Sequence, residues 1–164
     1  MRSIAQAIEM IPLMTYIRES GLTYPILMSL HLTMIALFGG MILLTDLRLL
    51  GVALKDYTVT EVVKGLRPFK HAGLTIMVTL GLLLGTAEMT KYYDNPYFMA
   101  KMTLLLLAAV HAIAFRKSVY RNTEELDKSP VPTSSAKLAA ITSLLMWTTI
   151  ACMGRLIAYY EPPK

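Results

Sequence analysis

"PILMSLHLTMIALFGGMILL", residues 25–44, carries one ionisable side chain, His31, in an otherwise apolar run. A helix of that length rises about 30 Å, the thickness of a bilayer's hydrocarbon core. Tyr24 bounds the run on one side; Thr45, Asp46 and Arg48 follow it on the other. The stretch reads as a membrane span, and the rest of the chain repeats the pattern. Including this one, apolar runs occupy about 25–45, 69–89, 97–116 and 137–160. Hydrocarbon offers the backbone no hydrogen-bond partner, so each must be a helix or a strand of a closed barrel, and all four are too long for barrel strands.

Composition agrees. Of 164 residues, 55 % are hydrophobic and only 16 % charged, with mean hydropathy +0.51. A soluble domain of this size carries about a quarter charged residues. The net charge of +5 does not point to nucleic acid, because the cations sit in short loops without interleaved aromatics. The lone Cys152 excludes an intrachain disulfide. Residues 1–20 lack the basic start, continuous apolar core and small-residue cleavage site of a secretory signal.

Loop cations set the expected direction. Arg48, Lys55, Lys64, Arg67 and Lys70 separate the first two spans, and Arg116, Lys117, Arg121, Lys128 and Lys137 the last two. The opposite side holds Arg2, Arg18, Lys91 and Lys164. The positive-inside tendency puts both termini outside and both basic loops in the cytoplasm. Tyr24, Tyr92, Tyr93, Tyr97, Tyr159 and Tyr160 then form an aromatic belt at the outer boundary.

Residues 3–20 place Ile4, Ile8 and Ile11 at helical spacing and predict a short amphipathic helix on the outer surface, bent at Pro12. In "KSPVPTSS", Ser134 or Ser135 is the expected cap of the last span. Gly73, Gly81 and Gly85 recur at multiples of four and predict a close helix–helix contact.

Ionisable groups inside a membrane cost about 2.5–3.5 kcal/mol each at the centre and are functional candidates. His31 lies about 10 Å below Tyr24, and Lys101, Arg155 and Glu88 each about 6 Å inside the outer tyrosines. On the other side, His111 lies about 7 Å from Arg116 and His71 about 4 Å from Pro68. Two polar layers follow. In the outer one, Glu88 is a candidate partner for either cation. The bland alternatives are snorkelling for Lys101 and Arg155, and neutral imidazoles hydrogen-bonded to neighbouring helices for the histidines.

The sharper reading is haem iron, which imidazole ligates in bundle cores, with Lys101 and Arg155 as clamps for the propionates. His31 and His111 are the candidate ligands, although their depths differ by about 12 Å. His71 and His111 match in depth but lie on consecutive spans, which pack at about 8–10 Å and leave no room for a porphyrin. A single-histidine site fits equally well. The twelve methionines are scattered rather than clustered with histidine at one depth, which is against Cu(I). No phosphate loop, thiol pair or Ser–His–Asp set with a common location is present.

"HLTMIALFGGMILLTDLRLLG", "NPYFMAKMTLLLLAAVHAIAF" and "SLLMWTTIACMGRLIAYY" resemble a family of small four-helix bacterial inner-membrane proteins of unknown function. More distantly they are similar to the HemJ-type protoporphyrinogen oxidases and CopD-type copper-resistance proteins, through His31, Gly39, Arg48, Lys101 and His111. The chain departs from the HemJ pattern at "YYDNPYF" and at its end, "GRLIAYYEPPK". The HemJ likeness implies haem b and a tetrapyrrole site at His31 with Lys101 close by.

The expectation is an all-α integral membrane protein. It is one transmembrane domain over residues 1–164, a four-helix up-down bundle with a short N-terminal interfacial amphipathic helix. Its expected function is haem-b-binding electron transfer with a quinone, a porphyrin or a partner complex, with His31 on the iron, His111 as a second iron ligand or a proton-relay group, and Lys101 and Arg155 on anionic groups. One alternative is a non-catalytic membrane anchor for other subunits or a second copy. The other is a small copper or proton transporter. The expected location is the bacterial inner membrane, both termini periplasmic.

Overall fold

The computed structural model describes residues 2–129 and 131–161; Lys164, counted above among the outer cations, lies outside them. The described residues are all-α. Helices α1 (Arg2–Glu9) and α2 (Pro12–Glu19) precede α3 (Thr23–Leu49), α4 (Val59–Ala87), α5 (Met89–Tyr93) and α6 (Pro96–Ala114). A π-turn (Arg116–Tyr120), α7 (Thr123–Asp127), α8 (Ser134–Leu156) and a 3₁₀ turn (Ile157–Tyr159) complete the order. Of these, α3, α4, α6 and α8 are long and apolar enough to cross a membrane.

Leu30, Leu37 and Leu43 on α3, Val78 and Leu82 on α4, Leu106, Val110 and Ile113 on α6, and Leu138 and Leu145 on α8 are exposed. Soluble monomers rarely expose contiguous apolar surface on this scale. Hydrocarbon is the solvent that suits it. The apolar side chains therefore drive insertion, and helix pairing falls to small residues and a few polar ones.

The element bounds correct several expectations. The second span begins about ten residues earlier than predicted, at Val59, where Thr58 and Glu61 form a capping box: the Glu61 N–H donates to Thr58 Oγ1 (3.1 Å) and the Thr58 N–H to Glu61 Oε2 (2.7 Å). Hydropathy missed this turn because Glu61, Lys64 and Arg67 lie on its exposed side. The last span is capped by Thr133, not by Ser134 or Ser135; the Ala136 N–H donates to its Oγ1 at 3.3 Å. Asn95 caps α6, with Pro96 in the first turn. Pro12 starts a separate helix rather than bending one.

The buried apolar core sits at the basic end. Leu49, Val59, Val63, Val119, Ala136, Ala139 and Ala140 cluster there, with Phe115, Tyr120 and Leu126 against them. Gly51 closes the turn after α3 with φ +71°, and a Cβ there would meet Pro132 Cγ at 3.0 Å. At the opposite end Met14 and Ile17 of α2 pack on Ala87. Glu9 fixes α1 to α5 by accepting from the Thr90 N–H (2.6 Å) and hydroxyl (2.8 Å).

The two basic loops are joined by Asp127, whose carboxylate accepts from the Val59 and Thr60 N–H groups at 2.6 and 3.1 Å. Burial alone would raise the Asp127 carboxyl, but the hydrogen bonds from Thr60 and Val59 outweigh it and hold it below its ordinary range. The folded chain therefore favours the ionised form. The resulting stability is complete above the ordinary aspartate range and is lost as the pH falls through the lowered value. Asp127→Ala is expected to cost about 1–2 kcal/mol. Thermal unfolding in detergent at neutral pH checks this, and at acid pH the gap between wild type and variant should close.

Candidate functional site

Contacts along the spans establish which residues share a level. A Cβ on Gly73 would touch Phe38 (3.8 Å) and Met41 (3.4 Å), so α3 and α4 pack closely there, as the glycine spacing predicts. Phe38 meets Trp147 of α8 edge to face, centroids 5.2 Å apart. Toward the α5 end, Gly81 faces His31, whose Cε1 lies 2.9 Å from the glycine's Cβ position. On the other pair, Gly154 of α8 faces Lys101 of α6, with Nζ at 3.6 Å from its Cβ position. His31 and Lys101 are within electrostatic reach of each other. One layer thus contains an imidazole and an ammonium, each lodged against a glycine of the facing helix.

Both groups are under-partnered. His31 Nδ1 is enclosed and has no hydrogen-bond partner among the described residues, while the Met77 carbonyl faces the ring. Among the described residues no carboxylate lies within ion-pair distance of Lys101, and nothing accepts a hydrogen bond from it. Such an arrangement, a free nitrogen and an uncompensated cation at one level in oil, is suited to a guest that pairs with the nitrogen or brings negative charge.

The helix order leaves this layer open on one side. α3 packs along both α4 and α8, and α6 along α8, but among the described residues α4 and α6 share no extended contact. They approach at the α5 end, where Phe98 Cζ lies 4.0 Å from the Cβ position of Gly85 and its ring stacks on Tyr92 (5.2 Å). This overturns the expectation that these consecutive spans pack along their length; the α5 turn spreads them instead.

The other expected site residues lie elsewhere. Arg155 is exposed, donates to the Tyr159 hydroxyl and sits over that ring at 4.9 Å. Glu88 is not the acid of the layer: it accepts from Lys91 (3.0 Å) and from the Tyr24 hydroxyl (3.2 Å). His111 lies at the level of Thr142, its Nε2 2.8 Å from that hydroxyl, which itself donates to the Leu138 carbonyl (2.7 Å). The threonine oxygen therefore accepts from the Nε2–H of His111. His71 is exposed.

A second polar group forms near the basic end, with little sequence warning. Asp46, 2 % exposed, lies against Ser143, itself 3 % exposed, while Lys70 donates to Thr45 Oγ1 at 3.1 Å. Tyr120 packs nearby; burial and the Asp46 carboxylate hold its phenol above the ordinary range. The signal available was an acid inside the final turns of an apolar run. Its partners come from α8 and the π-turn, far away in sequence. Gly154 was likewise unremarked, since a lone glycine gives no hint that a lysine lies over it.

Among the described residues no group of three or more His, Cys, Asp or Glu side chains is placed to hold a bare metal ion. Searches of curated proteins and of solved structures found no match. A family model described as "Family of unknown function (DUF6644)" matches residues 11–160. The four membrane-length helices lie inside that match, and the chain belongs to the DUF6644 family.

Proposed function

We propose that this chain is a membrane electron-transfer protein that would hold haem b through His31 as its one histidine ligand, with Lys101 offsetting the charge of its carboxylate arms. The observation that carries the reading is the His31–Lys101 layer, where, among the described residues, an imidazole nitrogen without a partner and an ammonium without an anion share one level. A metalloporphyrin with carboxylate arms would draw on the imidazole and the ammonium together. Bound haem would supply one-electron chemistry at its iron. The chain's own contributions are distinct. The Met77 carbonyl of α4 faces the imidazole and orients it, as second partners orient haem-ligating histidines. Lys101 offsets anionic charge in a medium that cannot, and Phe38 with Trp147 closes the layer from below. The likeness to HemJ-type proteins at His31 and Lys101 supports the same assignment.

His111 is not a second ligand in this reading, because it lies near the opposite end and its Nε2 is engaged by Thr142. Arg155 serves the membrane boundary, beside Tyr159. The distribution of cations supports placement in a bacterial inner membrane with both termini outside.

One observation favours a second reading. His31 Nδ1 is enclosed against α4, which suits a hydrogen bond to a quinone carbonyl better than approach of a macrocycle. The visible spectrum of detergent-purified protein, before and after dithionite, distinguishes the two. Haem gives a Soret band that shifts on reduction and disappears in His31→Ala. A colourless protein from which solvent extracts a quinone, lost in the same variant, supports the second reading. A colourless protein with no extractable ligand overturns both.

A further inference from the structure

A buried carboxyl that the proposed ligand layer does not use lies on the opposite half of α3. Asp46 is 2 % exposed, and its Oδ2 is enclosed without a hydrogen-bond partner among the described residues. Its other contact is the Ser143 hydroxyl of α8. The nearest cation, Lys70 of α4, is not within ion-pair distance; its Nζ donates to Thr45 Oγ1 instead, at 3.1 Å.

The other charged groups around Asp46 are committed elsewhere or face outward. Arg48 donates to the Tyr57 carbonyl at 2.7 Å and Arg67 to the Tyr120 carbonyl at 2.8 Å. From α6, His111 is held by Thr142. On the π-turn side, Arg116 and Arg121 are exposed, as is Lys137 on α8. Tyr120 is the remaining titratable neighbour.

An ionised carboxylate enclosed with one oxygen unpaired and no cation bonded to it is strongly disfavoured in such surroundings. The geometry points to a proton as the missing partner. We propose that Asp46 is a proton-binding site at the basic end of the bundle, holding its proton against Ser143 and exchanging it with the aqueous phase beside Lys70. The step is a proton transfer only: the O–H bond of the acid breaks, the proton passes to water, and the carboxylate left behind is offset by the Lys70 ammonium. This site is independent of the haem reading and of the occupant of the His31–Lys101 layer.

Infrared spectroscopy of the full chain in lipid nanodiscs tests it directly. At neutral pH the wild type should show a protonated-carboxyl carbonyl band that shifts down in D₂O, vanishes as the pH is raised with a single-proton midpoint, and is absent from Asp46→Asn. Ser143→Ala, which leaves the carboxyl in place, should keep the band but shift it to higher frequency as the hydrogen bond is lost. That second variant decides the matter if Asp46→Asn does not fold. Absence of the band at neutral pH, a band that persists at every pH, or a band whose frequency ignores Ser143→Ala would each overturn the proposal.

Discussion

Gly81→Val unfolds at markedly lower temperature than the wild type, with a loss of about 1–3 kcal/mol, the expected scale for forcing extra atoms into a filled contact. Even the first atom added at this position falls 2.9 Å from His31 Cε1, so the ring must swing out or α4 must move away from α3. Either response dismantles the ligand layer. The companion substitution is Gly73→Ala, eight residues and roughly two helical turns along the same face. Its new Cβ reaches ordinary contact with Phe38 and its closest neighbour is the flexible end of Met41, at 3.4 Å. Alanine is also the better helix former by about 1 kcal/mol, so this variant should match or exceed wild-type stability. Both melt curves are read in one detergent, with chemical modification of His31 as a second readout. Equal melting temperatures, with His31 unaltered in reactivity, would mean that the imidazole does not occupy the space in front of Gly81.

Lys101→Met is the second large effect, and its sign is the informative part. A structural cation stabilises what it touches, and removing it weakens the fold. Among the described residues Lys101 has no anion and no acceptor, so its ammonium is a cost to the bundle without a ligand. Methionine of similar length should raise the stability of the ligand-free protein by about 1–2 kcal/mol, part of the penalty for a cation inside a bilayer. The same variant should lose the bound ligand, whichever chemistry proves correct. Arg155→Met provides the control, because Arg155 is exposed and rests on Tyr159; its stability should stay within about 0.5 kcal/mol of wild type. A destabilised Lys101→Met would indicate that the lysine holds helices rather than a guest.

Between them these variants separate the roles of two glycines that look alike in the chain. Gly73 and Gly81 belong to one small-residue stripe, and spacing alone marks both as packing positions. Only the identity of the residue opposite distinguishes them. Phe38 in front of Gly73 makes that contact a seam; His31 in front of Gly81 makes it part of the proposed site.

Much of the architecture was legible beforehand. Where hydrocarbon replaces water, every backbone group must be satisfied within its own segment, so an apolar run of sufficient length is a helix regardless of its neighbours. That local rule made the four spans readable, and the placement of cations between them divided the chain into two ends. It failed at the first turn of α4, where Glu61, Lys64 and Arg67 hide a helix whose start is decided by a capping box. The level shared by His31 and Lys101 was also legible, since helical rise converts residue number into depth.

Which helices touch was not. Chain order would make α4 and α6 neighbours, yet α6 packs along α8 and the second and third spans part below Phe98. Lipid exerts little hydrophobic preference among apolar helix faces, so the pairing is decided by shape at a few small residues and by scarce polar contacts. Those contacts join residues far apart in sequence: Lys101 with Gly154, Asp46 with Ser143, Asp127 with the start of α4. The spans follow from length and polarity along one segment; the site follows from which side chains meet between segments, and that depends on three-dimensional fit.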